Sequence, residues 1–167
     1  MTQALHSRPD VFDTVVVGAG VMGATTALFL ARAGQKVALI DREDMFRAAS
    51  GVNAGTLTLH MTRAQLIPHA IRGREMWLDS ANWLGEDVGA LATPGLSMAF
   101  TEAEEELLRQ RAHVRQELGA SIAVLLAQDA IRIVPGVYST LRAAAYRALD
   151  GHIPTSRASG AYARALM

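Results

Sequence analysis

The residues with the clearest chemical implication are three glycines. Gly18-Ala19-Gly20-Val21-Met22-Gly23 is a G-x-G-x-x-G, and Asp41 follows 18 residues beyond Gly23. Such spacing suits the binding of a pyrophosphate and a ribose. Gly18 permits a tight turn. Gly20 lets backbone N–H groups approach phosphate oxygens with no Cβ in the way. Gly23 lets a helix pack closely on a strand. The helix that follows offers unpaired N–H groups and partial positive charge at its N-terminus to an anion. Asp41 is placed to accept hydrogen bonds from a ribose diol and disfavours a 2′-phosphate. Arg42 stands beside it.

The glycine motif has meaning only if the right elements carry it. Before it, Asp13 to Val17 is a β-branched run without polar alternation after Thr14, which predicts a strand buried on both faces. After it, Ala24 to Ala33 predicts a helix with Ala27, Leu28, Leu30 and Ala31 on its apolar face, ended by Gly34. Lys36 to Ile40 predicts a second buried strand ending at Asp41. The expectation is a parallel strand–helix–strand unit. The alternative is a glycine-rich turn that binds nothing.

Either a nicotinamide or a flavin dinucleotide would fit this unit. A nicotinamide dehydrogenase would continue with a helix and a third buried strand. Here Arg42 to Ala49 leads instead into Ser50-Gly51-Val52-Asn53-Ala54-Gly55, small and hydrogen-bonding residues suited to a backbone that passes close to a ligand. Met45 and Phe46 read as packing residues. His60, after the alternating Thr56-Leu57-Thr58-Leu59, reads as a loop or strand-end histidine in preference to a histidyl flavin link.

Further along, Arg63 to Asn82 predicts one helix, with Pro68 near its first turn and Trp77 and Trp83 as packing residues. Gly95 to Thr101 alternates as a strand would. Thr101-x-x-Glu104 is a capping box, and Glu102, Glu104, Glu105 and Glu106 gather at that helix's positive end as a solvated helix start, with Glu105 and Arg109 spaced to pair. Gly119 ends this helix. Ser121 to Leu126 predicts a strand, and Ala127 to Val134 a short helix stopped by Pro135-Gly136. Ala143 to Leu149 is ambiguous, its alanines favouring helix. Neither a nucleophile–base pair nor histidines at metal-ligand spacing occur; His69, His113 and His152 stand apart, and His152 reads as a loop residue.

Taken together, the fingerprint from Thr14 to Asp41, the stretch Ser50 to Gly55, and Asp150-Gly151-His152-Ile153-Pro154 before the alanine-rich Ala158 to Met167 resemble the FAD-dependent oxidoreductases of the D-amino-acid oxidase type, which include glycine and sarcosine oxidases. The resemblance implies an α/β fold: a Rossmann-like FAD-binding unit over residues 1–60, part of a mixed α+β substrate domain over 61–150, and a returning helix over 151–167. It favours strand for Ala143 to Leu149. It implies noncovalent FAD held by Gly18, Gly20, Val21, Met22, Gly23, Asp41, Arg42, Ser50, Asn53 and Gly55, with Ser50 and Asn53 along the pyrophosphate and flavin edge. The activity implied is hydride transfer from an amine or amino acid to flavin, then electron transfer to oxygen or a quinone. No catalytic residue is assigned and no metal site is expected.

The family's carboxylate-binding Arg and Tyr, its ribityl-binding segment and its third parallel strand would follow Met167, so the expectation is an incomplete fold. That makes the chain the N-terminal portion of a larger enzyme, inactive alone: a truncated product, a partial record, or a subunit completed by a partner chain. The rival readings are a non-catalytic nucleotide-binding subunit and an NAD-dependent dehydrogenase.

Composition bounds these readings. In 167 residues, 16 Lys+Arg balance 16 Asp+Glu, so there is no electrostatic footprint for nucleic acid. Half the residues are hydrophobic, which excludes wholesale disorder. The absence of Cys excludes disulfides, iron–sulfur clusters, a thiol nucleophile and a cysteinyl flavin link. Fifteen of the 16 basic residues are Arg, which reads as a genome-composition effect. Apolar runs are too short to span a membrane, and the polar Met1 to Asp10, with Pro9, is expected to be neither a signal nor a transit peptide. A cytoplasmic location is the expectation, with peripheral contact to the inner membrane through a quinone acceptor left open.

Overall fold

A computed structural model describes residues 11–137 and 140–167. The reading of Met1 to Asp10 lies outside the described residues. The chain divides into two units, one running to Asn53 and resuming at Thr155–Met167, the other spanning Ala54–Pro154.

In the first unit, β1 (Thr14–Val17) pairs in parallel with β2 (Val37–Ile40), Thr14 opposite Val37 and Val17 opposite Ile40. Between them runs α1 (Val21–Arg32), ended by Ala33 and by Gly34 at φ 87°. The helix starts three residues before the expected Ala24, so Val21, Met22 and Gly23 are already helical. Ala24, Ala27 and Leu28 are its buried face. After β2, the short α2 (Ala49–Val52) follows, and α7 (Thr155–Ala165) returns to this unit with Ala158, Ala161 and Tyr162 buried. Phe46 and Tyr162 pack ring to ring at 5.5 Å, which accounts for Phe46 as a packing residue despite its positive φ of 63°. The Tyr162 hydroxyl meets Thr25 Oγ1, and Ser159 Oγ donates to the Met45 carbonyl at 3.2 Å.

Two burial expectations fail in this unit. β2 has no fully buried residue, and Ile40 is 49% exposed. β1 is not buried on both faces: Val15 is 55% exposed and Val17 79%. Among the described residues the sheet has two strands, and the outward positions of β1 have nothing packed over them.

The second unit is built on a three-stranded antiparallel sheet in the order β3-β5-β4, with β3 Leu91–Ala99, β4 Ala123–Leu126 and β5 Ala143–His152. The ambiguous segment is therefore the central strand, and it reaches His152, which ends the strand opposite Leu91 and is not a loop residue. Helix propensity loses to packing here. Ala145 lies in an apolar cluster with Leu108 and Ala112 of α5 (Glu102–Glu117), while Ala144 lies in another with Ala130 of α6 (Ala127–Ile133). A strand covered on both faces by helices uses small side chains to admit them closely. β3 begins four residues before the expected Gly95, and Pro94 is accommodated at a register shift between Thr93 and Gly95.

The helix predicted over Arg63 to Asn82 is broken. A 3₁₀ turn (Ala64–Leu66) precedes α3 (Ile67–Leu78), and α4 (Ser80–Leu84) follows. Pro68 falls at the start of α3, where its missing N–H costs nothing; further inside it would have blocked the helix. At the other end, Trp83 Nε1 donates to the Met76 carbonyl at 2.5 Å, and buried Ser80 Oγ accepts the Val88 N–H at 3.1 Å. Trp77 and Trp83 meet edge to face at 5.7 Å, consistent with packing roles. α5 begins as its sequence predicts: Glu104 N–H donates to Thr101 Oγ1, and Glu104 Oε2 accepts from the N–H groups of Phe100 and Thr101. Arg109 pairs with Glu105 at 2.8 Å, and Gly119, at φ 92°, lies just past the helix end.

Candidate functional site

The glycine loop connects β1 to α1. Gly18 adopts φ 105°, a conformation open to few residues other than glycine. Gly23 is required by contact: a Cβ there would stand 1.8 Å from the Gly18 carbonyl oxygen and 3.4 Å from a Val16 methyl. Gly20 has ordinary backbone angles as the residue before the helix, and a Cβ on it would meet Ser50 Oγ at 3.0 Å. Its identity is thus a matter of the space above the helix N-terminus.

Two side chains tie this loop down. Asp41 Oδ2 accepts the Ala19 N–H at 2.6 Å, and Oδ1 accepts the Glu43 N–H at 3.0 Å. These bonds, Ala19 foremost, hold the Asp41 carboxyl below its ordinary value. It stays ionised at neutral pH, and each oxygen retains a lone pair for another donor. Ser50 Oγ accepts the Val21 N–H at 3.0 Å, leaving the hydroxyl proton free to donate. The N–H groups of Met22 and Gly23 belong to the first turn, where no intrahelical acceptor is in reach.

Gly20, Asp41, Arg42 and Ser50 share one cavity of about 240 Å³, completed by Glu43, Asp44, Arg47, Ala48 and Ala49. Its position against the start of α1 and the end of β2 suits an adenosine diphosphate group. Arg42 is exposed and lies 3.7 Å from Glu43. The sequence reading missed Arg47, which also lines the cavity; the Arg42-to-Ala49 stretch carried no pattern that set it apart. Asn53 and Gly55 do not join this cavity. Asn53 Nδ2 donates to the Ser50 carbonyl at 2.9 Å and to that of Ala49 at 3.3 Å, closing the end of α2. Gly55 belongs to the second unit, at φ 71°, where a Cβ would stand 1.9 Å from the Ile153 carbonyl oxygen.

The second unit holds a buried ionic cluster that the sequence did not announce. His60 Nδ1 lies 2.5 Å from Asp150 Oδ2, with side chains 4% and 2% exposed. Asp150 Oδ1 accepts the Leu59 N–H at 3.0 Å and Arg147 Nη1 at 3.1 Å, and Arg74 Nε donates to the Asp150 carbonyl at 3.1 Å. Burial pushes the Asp150 carboxyl upward, but the bonds from His60, Leu59 and Arg147 outweigh it and hold the group below its ordinary value. Gly95 makes room: a Cβ there would stand 2.2 Å from Asp150 Oδ2 and 2.5 Å from His60 Cε1. With Nδ1 committed to Asp150, His60 is a loop histidine with a buried side chain, in a bend that follows the bridge of Thr56 to His152. No group of three or more His, Asp or Glu residues suited to a metal ion occurs among the described residues. No helix among them is long and apolar enough to cross a membrane.

A parallel strand–helix–strand unit with a glycine loop and an acid at the end of its second strand is the architecture of dinucleotide-binding proteins. The chain belongs to the FAD dependent oxidoreductase family, whose family model matches residues 13–167. It is 29% identical over 164 residues to a glycine oxidase of Geobacillus kaustophilus, spanning 92% of this chain and 44% of that protein. The crystal structure of glycine oxidase from Geobacillus kaustophilus superposes with a TM-score of 0.82 at 27% identity, over 93% of this chain and 44% of that one. L-amino acid deaminase from Proteus myxofaciens shares the fold, with a TM-score of 0.83 at 17% identity over 96% of this chain and 37% of its own. The chain thus spans less than half the length of these relatives.

Proposed function

We propose that this chain provides the ADP-binding part of an FAD-dependent oxidoreductase that oxidises an amine or an amino acid, with oxygen or a quinone as the final acceptor. The observation that carries the reading is the cavity where Gly20, Asp41, Arg42 and Ser50 meet at the start of α1. The residues fit a dinucleotide. The N–H groups of Met22 and Gly23 and the Ser50 hydroxyl offer donors to the pyrophosphate. Gly20 leaves the approach open, and Gly18 and Gly23 set the turn and the packing that bring Val21 and its neighbours there. Asp41 offers acceptors to the ribose, with Arg42 flanking it. Asn53 and Gly55 carry structural bonds that account for their identities, and the proposal does not rest on them.

FAD, bound noncovalently, would supply the hydride acceptor for the carbon bearing the amine. In this reading the first unit holds the ADP half and the second belongs to the substrate side. Hydride loss from a neutral amine needs no obligatory side-chain base, so this chemistry does not require an acid–base pair from the chain. The glycine oxidase likeness supports an amino acid or small amine as substrate. A dinucleotide-binding subunit that works with a partner chain is a second reading, favoured by the open outer face of β1.

Calorimetric titration of the purified chain with FAD, NAD and ADP tests the proposal. FAD is expected to bind at least as tightly as NAD. Gly20→Val is expected to reduce FAD affinity at least tenfold, because side-chain atoms would fill the approach to the pyrophosphate. A folded chain that prefers NAD, or a folded Gly20→Val variant with unchanged FAD affinity, would refute it.

A further inference from the structure

The second unit contains another cavity, about 320 Å³, that lies outside the dinucleotide site and wholly within residues 60–145. That volume is at the small end of ligand sites, which run from about 300 to 1,000 Å³. Its walls combine an apolar surface with two cations. Met98 of β3, Leu107 and Leu108 of α5 and Ile122 supply the first; Arg111 and Arg115, one turn apart on α5, supply the second.

The two arginines are differently held. Arg115 is fixed: Nε donates to the Thr62 carbonyl at 2.8 Å and Nη1 to the Arg111 carbonyl at 3.0 Å. Those partners are neutral carbonyls, so among the described residues no ion pair meets this charge, and Nη2 keeps its hydrogens for another acceptor. Burial first, and then repulsion from Arg111, lower the Arg115 pKa from its ordinary value. Arg111 is exposed and has no side-chain acceptor or carboxylate partner among the described residues. Glu104 is the one carboxylate on the wall. It is committed through Oε2 to the N–H groups of Phe100 and Thr101, and two guanidiniums against it leave the cavity net positive. His60 also borders the cavity, its Nδ1 held by Asp150.

We propose that this cavity is a second ligand site, for a small monocarboxylate with an apolar body. Arg115, pre-oriented by its two carbonyl contacts, and Arg111, free to swing, take the carboxylate as charge-assisted donors. The apolar body lies against Met98, Leu107, Leu108 and Ile122. The site requires neither bound dinucleotide nor turnover, so it stands or falls independently of the proposed activity.

The experiment titrates the full chain with 4-methylpentanoate and, separately, with 4-methylpentanamide, which has the same shape and no charge. Binding is followed by NMR of the Met and Leu methyl groups. Saturable shifts centred on Met98, Leu107 and Leu108 are expected with the acid, with the amide at least about tenfold weaker. Arg111→Gln is expected to weaken the acid about tenfold while FAD binding stays unchanged. The proposal is overturned by equal binding of acid and amide, by shifts centred elsewhere, or by failure of the acid to saturate. The acid–amide comparison on the unaltered chain decides the matter even where Arg111→Gln fails to fold.

Discussion

At the residue scale, the most consequential group outside the dinucleotide site is Asp150. It is nearly fully buried and binds His60, the Leu59 N–H and Arg147 at once. Asp150→Asn would leave the Arg147 guanidinium buried without a carboxylate, and removing one partner of such a pair costs about 3–5 kcal/mol. The pH dependence follows from the depressed carboxyl. A carboxylate whose folded pKa lies below its unfolded value contributes stability that is present above the unfolded value, about 3.9. That contribution fades as pH falls through the folded value. Urea unfolding from pH 3 to 7 should therefore show this acid-side loss in the parent chain below about pH 4, and the loss should be reduced in Asp150→Asn. Equal midpoints for the two proteins across the range would contradict the role. The contrast with the glycine loop shows what a sequence can convey about a site. Gly18, Gly20, Gly23 and Asp41 lie within two dozen residues, and short-range geometry dictates each of them. His60 and Asp150 are 90 residues apart, and neither has a local pattern that names the other. Their meeting depends on how the Thr56–His60 segment runs beside β5, with Leu57 N–H on the Gly151 carbonyl at 2.8 Å.

At the element scale, the same distinction separates helix ends from strand identity. The start of α5 was legible because a capping box is a contact among four consecutive residues. Thr101→Ala should cost about 1 kcal/mol by removing the acceptor for the Glu104 N–H. Thr101→Ser keeps that oxygen and should stay within about 0.5 kcal/mol of the parent. Denaturant midpoints at constant m-value distinguish the two, and equal effects of Ala and Ser would exclude a capping role. The nature of β5 was not legible locally. Ala143, Ala144 and Ala145 favour a helix when taken alone, and only the two helices pressed against opposite faces of the sheet make small strand residues the right choice. The break of the predicted Arg63–Asn82 helix has a similar origin. Its apolar spacing is continuous, but the bonds of Trp83 to the Met76 carbonyl and of Ser80 to the Val88 N–H end α3 and turn the chain.

At the scale of the whole molecule, β1 is informative because its sequence and its surroundings disagree. Val15, Val16 and Val17 have the composition of a strand inside a parallel sheet, yet Val15 and Val17 face outward uncovered among the described residues. The chain also spans 44% of the glycine oxidases it resembles. In the proposed reading, the candidate contacts that line the first-unit cavity or begin the helix beside it would address a pyrophosphate and an adenosine ribose, and none of these would address an isoalloxazine ring. If these contacts supply most of the binding energy, the flavin half adds little, and FAD should bind this chain no more than about tenfold tighter than ADP, a difference of about 1.4 kcal/mol. ADP should then displace FAD competitively, and amino-acid oxidation by the chain alone should stay at the background rate of free FAD. Competitive calorimetry and an oxygen-consumption assay measure the two quantities. An FAD preference above a hundredfold would show that residues of this chain hold the flavin ring itself, and would move the search for them to the second unit.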